Sequence, residues 1–294
     1  MKRPRMYPGR SALVNPASLF DEEETMPVGI SIHIGVNHVD PKHYQSKKEL
    51  KGCVNDALAM QKLAEAAGFK STLLPDEKAT VDAVLGAIDN AVGQVGSDGM
   101  LMLTYSGHGD VVVDVSRDEL DLTDERWDLY DRELVDDQLF DEWKKFKKGA
   151  RILVISDSCH AGDIFFAPAE FLRAAVERLP RTGTRSATLG DSPESRSLEP
   201  FAFPRVRRTA FDRLADVGAG VLLMAASTDD DTAKDGEQNG HYTKALLDTW
   251  NEGKFEGDYV KLHDMIYDLL RPRQLPVIRP LVPPAFIRDY PFRI

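Results

Sequence analysis

Leu101-Met102-Leu103-Thr104-Tyr105-Ser106-Gly107-His108-Gly109 is the stretch on which the reading of this chain turns. It is a short apolar run, too brief for an amphipathic helix, that opens abruptly onto a glycine-flanked histidine. The run from Gly99 to Tyr105 therefore reads as a strand buried on both faces. Val28 to Val36, Arg151 to Ser156 and Gly218 to Ala226 have the same texture, and a shorter strand falls at Ser71 to Leu74. Helical spacing lies between them. Asn55 offers an N-cap to a helix carrying Met60, Leu63, Ala64 and Ala67 on one face and ended by Gly68. Thr80 caps a second helix with Val81, Val84, Leu85, Ile88 and Val92 in register. Further helices are expected near Tyr242 to Trp250 and Tyr259 to Leu270, and the Pro-rich end from Gln274 to Ile294 reads as extended chain at a sheet edge. Strands alternating with helices predict an α/β fold: a mostly parallel central sheet flanked by helices on both faces.

The chain has 294 residues, 37 basic and 48 acidic, for a formal net charge of -11. That balance argues against a phosphate-backbone binder, so no nucleic-acid partner is expected. Two cysteines, Cys53 and Cys159, are too few for a disulfide framework and suit a reducing compartment. No apolar run reaches the roughly 18 to 20 residues of a membrane span, and the basic start, Met1 to Arg10, is not followed by an apolar signal core. The expectation is a cytoplasmic protein with no membrane partner. Residues 1–27 read as a flexible tail and 28–294 as one domain with two insertions. The first, Asp110 to Glu142, holds fourteen acidic residues against three arginines; the second, Phe165 to Val217, has little regular signal after Arg178 and is studded with arginine.

In an open parallel sheet, reactive groups gather beyond the carboxyl ends of the strands. Two strands here end in chemistry: one delivers Ser106-Gly107-His108-Gly109, the other Ser156-Asp157-Ser158-Cys159-His160-Ala161-Gly162. A thiol with a pKa near 8.5 is only a few per cent thiolate at neutral pH, so an imidazole that takes its proton makes it a nucleophile. The same imidazole can return the proton to a leaving amine. The backbone N–H groups of Gly109 and Cys159 could form an oxyanion hole, where one donor is typically worth about 3 to 4 kcal/mol of barrier. His160 competes for the base role, but sequence neighbours on a turn rarely point the same way. Asp157, two residues before Cys159, and Asp56, just past the first strand's loop, can line a groove that wants a cation. Their bland readings are a turn cap and a helix-start acid.

Tyr105-Ser106-Gly107-His108-Gly109 with Asp157-Ser158-Cys159-His160-Ala161-Gly162 resembles the paired signatures of the metacaspases and bacterial caspase homologues, with His about 50 residues before Cys. Gly52-Cys53-Val54-Asn55-Asp56-Ala57 is similar to that family's first loop, and Trp127 to Asp131 with Val135-Asp136-Asp137 resembles a segment of bacterial members. The likeness runs from about Val28 to Trp250 and touches the ending Pro291-Phe292-Arg293-Ile294. It departs at Ala161, where Ser is commoner, and lacks the Gln-Ala-Cys context of animal caspases.

What the resemblance implies is a caspase-like (caspase-hemoglobinase) fold and a cysteine endopeptidase with a Cys159–His108 dyad. Its pocket of Asp56, Ser106 and Asp157 would take Arg or Lys before the scissile bond of protein or peptide substrates. No cofactor is required for the chemistry. Calcium is implied as an activator, with Asp136 and Asp137 matching best and Asp121 as a third ligand; a later carboxylate expected of the family is Phe166 here, with Asp163 displaced. The acidic stretch also reads as a solvated loop. The arginine-bearing insertion lies where such enzymes are cut to mature, which makes Arg173, Arg178, Arg181, Arg185, Arg196, Arg205, Arg207 and Arg208 processing candidates for self-cleavage or for an upstream protease. Two other readings stand beside it: a catalytically silent caspase-like scaffold, and a nucleotide-binding domain. The second would want clustered glycines between Gly35 and Asn55, which are not there.

Overall fold

The computed structural model describes residues 27–45, 47–113, 123–158, 216–226, 238–282 and 285–294. A six-stranded sheet organises them, built from β1 (Gly29–Gly35), β2 (Lys70–Pro75), β3 (Met100–Ser106), β7 (Arg151–Asp157), β8 (Gly220–Ala225) and β9 (Val277–Val282) in the order β2-β1-β3-β7-β8-β9. The first five are parallel, and β9 closes the edge antiparallel to β8. The expected α/β class, with a mostly parallel sheet, is what forms.

Strand alternation divides the core into two layers. Leu101, Leu103 and Tyr105 of β3 and Ile152 and Val154 of β7 point to one side; Met100, Met102, Leu153 and Ile155 point to the other. The first side is covered by α2 (Val81–Val92) through Val84 and Ile88, and by α3 (Asp136–Trp143) through Leu139, Phe140 and Trp143. The second is covered by α1 (Cys53–Ala66), α4 (His241–Trp250) and α5 (Tyr259–Leu270) through Met60, Leu63, Tyr242, Leu246, Leu262 and Ile266. Each fully buried large side chain contributes about 1.5 to 3 kcal/mol, so these two layers dominate the stabilisation. Among the described residues no helix is long and apolar enough to cross a membrane.

Local signals account for some boundaries and not for others. Thr80 caps α2 as expected, its hydroxyl accepting the Ala83 N–H at 3.2 Å. At α1 the expectation fails, because Asn55 lies inside the helix rather than ahead of it. The cap comes from far upstream: the Asn37 side-chain oxygen accepts the N–H groups of Cys53 at 3.0 Å and Val54 at 3.3 Å. Cys53 is buried and opens the helix.

The acidic stretch from Asp110 is more than the solvated loop that was one of its readings. Its described residues form a small antiparallel sheet of β4 (Gly109–Val113), β5 (Thr123–Asp128) and β6 (Glu133–Val135), followed directly by α3. Basic side chains on the same surface meet its acids. Arg126 pairs with Asp110, Asp128 and Glu133, Lys47 with Asp110 and Asp128, and His43 with Glu133.

Candidate active site

β1 lies between β2 and β3, and the chain leaves it toward β2 through α1 and returns to β3 through α2 on the opposite face. The sheet order reverses there, which leaves a crevice at the carboxyl ends of β1 and β3. Four of the expected residues collect at that edge. Asp56 stands in the first turn of α1, just beyond β1; Ser106 ends β3; Asp157 ends β7; and His108 follows Ser106 by two residues. Ser106 and Asp157 are register partners on adjacent parallel strands.

The two carboxylates are deeply enclosed. Asp56 is 2% exposed and Asp157 6%. Ser106 Oγ donates to Asp56 Oδ2 at 2.7 Å, which joins two of the three residues expected in one pocket, with Asp157 beside them. The remaining donors were missed. Asn239 Nδ2 donates to Asp56 Oδ1 at 2.8 Å, and the Gly240 N–H reaches both Asp56 oxygens at 3.0 and 3.1 Å. Thr243 donates twice to Asp157 Oδ2, from its N–H and its hydroxyl, each at 2.9 Å. The start of α4 thus forms the third wall of the slot. Gly240 is required there because a Cβ would collide with Asp157 and press on Asp56. A run of small and polar residues at a helix start, Asn239-Gly240 with Thr243, was the available signal; it says that backbone donors are free, not which acids they meet.

Burial first, then the neighbouring Asp157 charge, pushes the Asp56 carboxyl up to about 7, against the pull of bonds from Ser106, Asn239 and Gly240. Two acids held this way form a slot whose full negative charge is expressed only when a cation enters or the pH rises.

His108 is fixed from two directions. Its carbonyl accepts the Tyr105 hydroxyl at 2.6 Å and the Asp128 N–H at 3.0 Å, and Tyr105 is stacked on Trp127 at 4.6 Å. Gly107 leaves room for that hydroxyl, since a Cβ would overlap it. The ring Nε2 lies 2.6 Å from the Lys48 carbonyl oxygen. A carbonyl only accepts, so Nε2 carries a proton and, in the neutral ring, Nδ1 holds the lone pair. Gly109 faces Trp127 in the β4–β5 ladder, and the bond from Asp128 N–H to the His108 carbonyl makes this a non-hydrogen-bonded pair. The Gly109 N–H is therefore directed away from β5.

Cys159 lies outside the described residues, as do Asp121 and the processing candidates Arg173, Arg178, Arg181, Arg185, Arg196, Arg205, Arg207 and Arg208. Asp157 and Ser158 are the last described positions before Cys159. Asp136 and Asp137 begin α3; Asp136 is buried, and its Oδ1 accepts the Asp137 N–H at 2.8 Å. Among the described residues no group of three His, Cys, Asp or Glu could hold a metal ion. His33 is a packing histidine: it is buried, bonds Thr104 at 2.9 Å through Nδ1, and is depressed to about 3 by burial.

Comparison with known proteins bears on the same architecture. A solved protein from Geobacter sulfurreducens is 32% identical, covers 91% of this chain and 99% of its own, and superposes with a TM-score of 0.69. Caspase-1 from Spodoptera frugiperda shares the fold at 13% identity, with 86% of each chain covered and a TM-score of 0.50. Metacaspase-1 of Saccharomyces cerevisiae is 25% identical over 246 residues, which are 72% of this chain and 56% of that protein, so the chain spans little more than half the length of this curated relative. Residues 30–281 match the caspase domain, and the chain belongs to this family of cysteine peptidases.

Proposed function

We propose that the chain is a cysteine endopeptidase that cleaves after Arg or Lys in protein or peptide substrates, with Cys159 as nucleophile and His108 as its proton partner. The observation that carries the reading is the register of Ser106 against Asp157 on adjacent strands. Neighbouring strands run about 4.8 Å apart. His108 and Cys159 each follow their strand's register residue by two positions in sequence, and those register residues end at the edge that carries the Asp56–Asp157 slot. A buried pair of acids favours a guanidinium or ammonium over a neutral or acidic side chain, because a cation offsets the mutual repulsion of the two carboxylates and the cost of holding their charge away from water.

In the proposed cycle the Cys159 sulfur gives its proton to His108 Nδ1 and attacks the scissile carbonyl carbon. The oxyanion rests against the N–H groups of Gly109 and Cys159. Collapse breaks the C–N bond, the imidazolium proton goes to the departing amine, and a thioester remains. Water then attacks the thioester with His108 taking its proton, and the thiolate leaves and is reprotonated. The Lys48 carbonyl keeps the second ring proton in place throughout and stabilises the transient imidazolium.

The same preference makes the arginines between 165 and 217 sites of self-processing, and calcium is proposed as an activator through Asp136 and Asp137. Purified full chain is assayed on fluorogenic peptides ending in Arg, Lys or Asp, with and without calcium, beside Cys159→Ala and His108→Ala. Turnover of the Arg and Lys peptides that vanishes in both variants is expected. Turnover surviving in Cys159→Ala, or a preference for Asp, overturns the reading. New N-termini within 165–217 that persist in Cys159→Ala would assign processing to another protease.

A further inference from the structure

We infer that Asp128 and Lys47 are positioning residues for His108, forming one clamp that holds both its backbone and its ring; the inference rests on the proposed role of His108. Asp128 is fully buried at the end of β5. Its backbone N–H holds the His108 carbonyl at 3.0 Å. Its carboxylate meets Lys47 Nζ at 2.7 Å through one oxygen and Arg126 Nε at 3.1 Å through the other. Lys47 immediately precedes Lys48, whose carbonyl takes the His108 Nε2 proton at 2.6 Å. One aspartate thus grips the histidine directly and, through the ion pair, the peptide that orients its ring.

The physical need for such a clamp is local. The carbonyl that selects the tautomer belongs to an irregular surface segment, and Lys48 itself is exposed. A backbone carbonyl on an untethered segment samples many directions, and an imidazole whose orienting acceptor wanders divides itself between two tautomers. Only the tautomer with a proton on Nε2 leaves Nδ1 free to accept one from a thiol. Lys47, one-quarter exposed, anchors the segment to a carboxylate with no exposure at all. Such a pair is screened little by salt and is lost at a cost when one member goes. Arg126 holds the other Asp128 oxygen, and its contacts with Asp110 and Glu133 keep the guanidinium in place when Lys47 is replaced. The Arg126 contact makes Lys47→Met the cleaner probe, because the buried charge keeps one partner.

The experiment uses the full chain as wild type, Lys47→Met, Lys47→Arg and Asp128→Asn. It reads kcat and KM on an Arg-ending peptide with active sites titrated, and the nitrogen shifts of the 15N-labelled His108 imidazole at neutral pH. Orienting partners of a functional imidazole are typically worth about 10- to 100-fold, so Lys47→Met is expected to lower kcat by roughly that factor and, since the acidic slot is untouched, to keep KM within about twofold. Its spectrum moves from an Nε2–H ring toward a mixture of tautomers, and Lys47→Arg restores both readouts. A wild-type spectrum and unchanged kcat in Lys47→Met overturn the inference and leave the proposed peptidase intact. If the wild type cleaves neither Arg nor Lys peptides, the peptidase reading fails instead, and the spectra alone decide the clamp: a tautomer shift in Lys47→Met upholds it and an invariant ring refutes it. Should Asp128→Asn fail to fold, the two Lys47 variants still decide between these outcomes.

Discussion

Buried beside Ser106, Asn239 and Gly240, the Asp56 carboxyl is held near 7 by its burial and by the Asp157 charge. A group poised there changes from neutral to anionic over the pH range in which a peptidase works. Between pH 6 and pH 8 its ionised fraction rises about tenfold, so a small guanidinium ligand such as agmatine should bind roughly tenfold more tightly at pH 8 than at pH 6. Isothermal titration across that range checks it; a flat profile would remove Asp56 as the titrating partner. The same shift bears on stability with a definite sign. The folded-state pKa lies above the unfolded value of 3.8, so the native state holds more protons between the two, and stability through this group falls as pH rises from about 4 to about 7. Asp56→Asn removes the penalty while its amide can still accept from Gly240 and donate to Ser106 Oγ. We expect the variant to be more stable than wild type at pH 8 by on the order of a few kcal/mol, to match it near pH 4, and to lose affinity for the guanidinium. Urea denaturation at both pH values measures the difference.

At the scale of elements, α1 shows why sequence signals went only part of the way. Asp56 was legible as a helix-start acid able to line a groove, yet the helix boundary was misplaced because its cap comes from Asn37, which sits sixteen residues before Cys53 and is itself held by its own N–H on Asp76 Oδ1 at 2.8 Å. A local scan for Ser, Thr, Asp or Asn ahead of an apolar period cannot find a donor–acceptor pair closed by the fold. Thr80, whose cap is local, was found. The same distinction explains the slot: Ser106 and Asp157 follow from strand ends, whereas Thr243 and Gly240 meet the two acids only because α4 packs its N-terminus over that edge. Since Asn37 anchors the turn of α1 that carries Asp56, Asn37→Ala is expected to cost about 1 to 2 kcal/mol. It should also raise KM for an Arg peptide more than it lowers kcat. Paired denaturation and steady-state kinetics separate these effects, and an unchanged KM would mean that Ser106 and Gly240 suffice to hold Asp56.

Across the whole molecule, the acidic slot and the C-terminal segment occupy opposite ends of one sheet. The parallel β-α alternation was readable because Leu101, Leu103, Ile152 and Val154 serve one layer while Met102, Leu153 and Ile155 serve the other, so each strand is a continuous apolar run set between stretches of helical spacing. The acidic stretch was not readable as β4 to β6, because its strands carry charge on a partly solvated sheet and its acids meet basic side chains from elsewhere, Lys47 and His43 among them. The C-terminal segment lies at the amino edge, away from the slot: Ile294 approaches Gly29 at the start of β1, and Arg151 at the start of β7 donates to the Arg293 carbonyl at 3.0 Å. Phe292 is 1% exposed there, edge-on to Trp250 at 4.9 Å and 6.0 Å from Tyr259, whose hydroxyl accepts the Phe292 N–H at 2.9 Å. Phe292→Ala should therefore destabilise the fold by about 3 to 5 kcal/mol through the cavity it leaves. Because the lost contacts lie toward the amino end of the sheet rather than at its carboxyl edge, kcat per titrated active site should stay at the wild-type value at temperatures where the variant is folded, while the unfolding midpoint drops. A fall in kcat per titrated site in the fully folded variant would show that packing at the amino edge reaches the slot through β3 and β7, and that the two ends of the sheet are not independent.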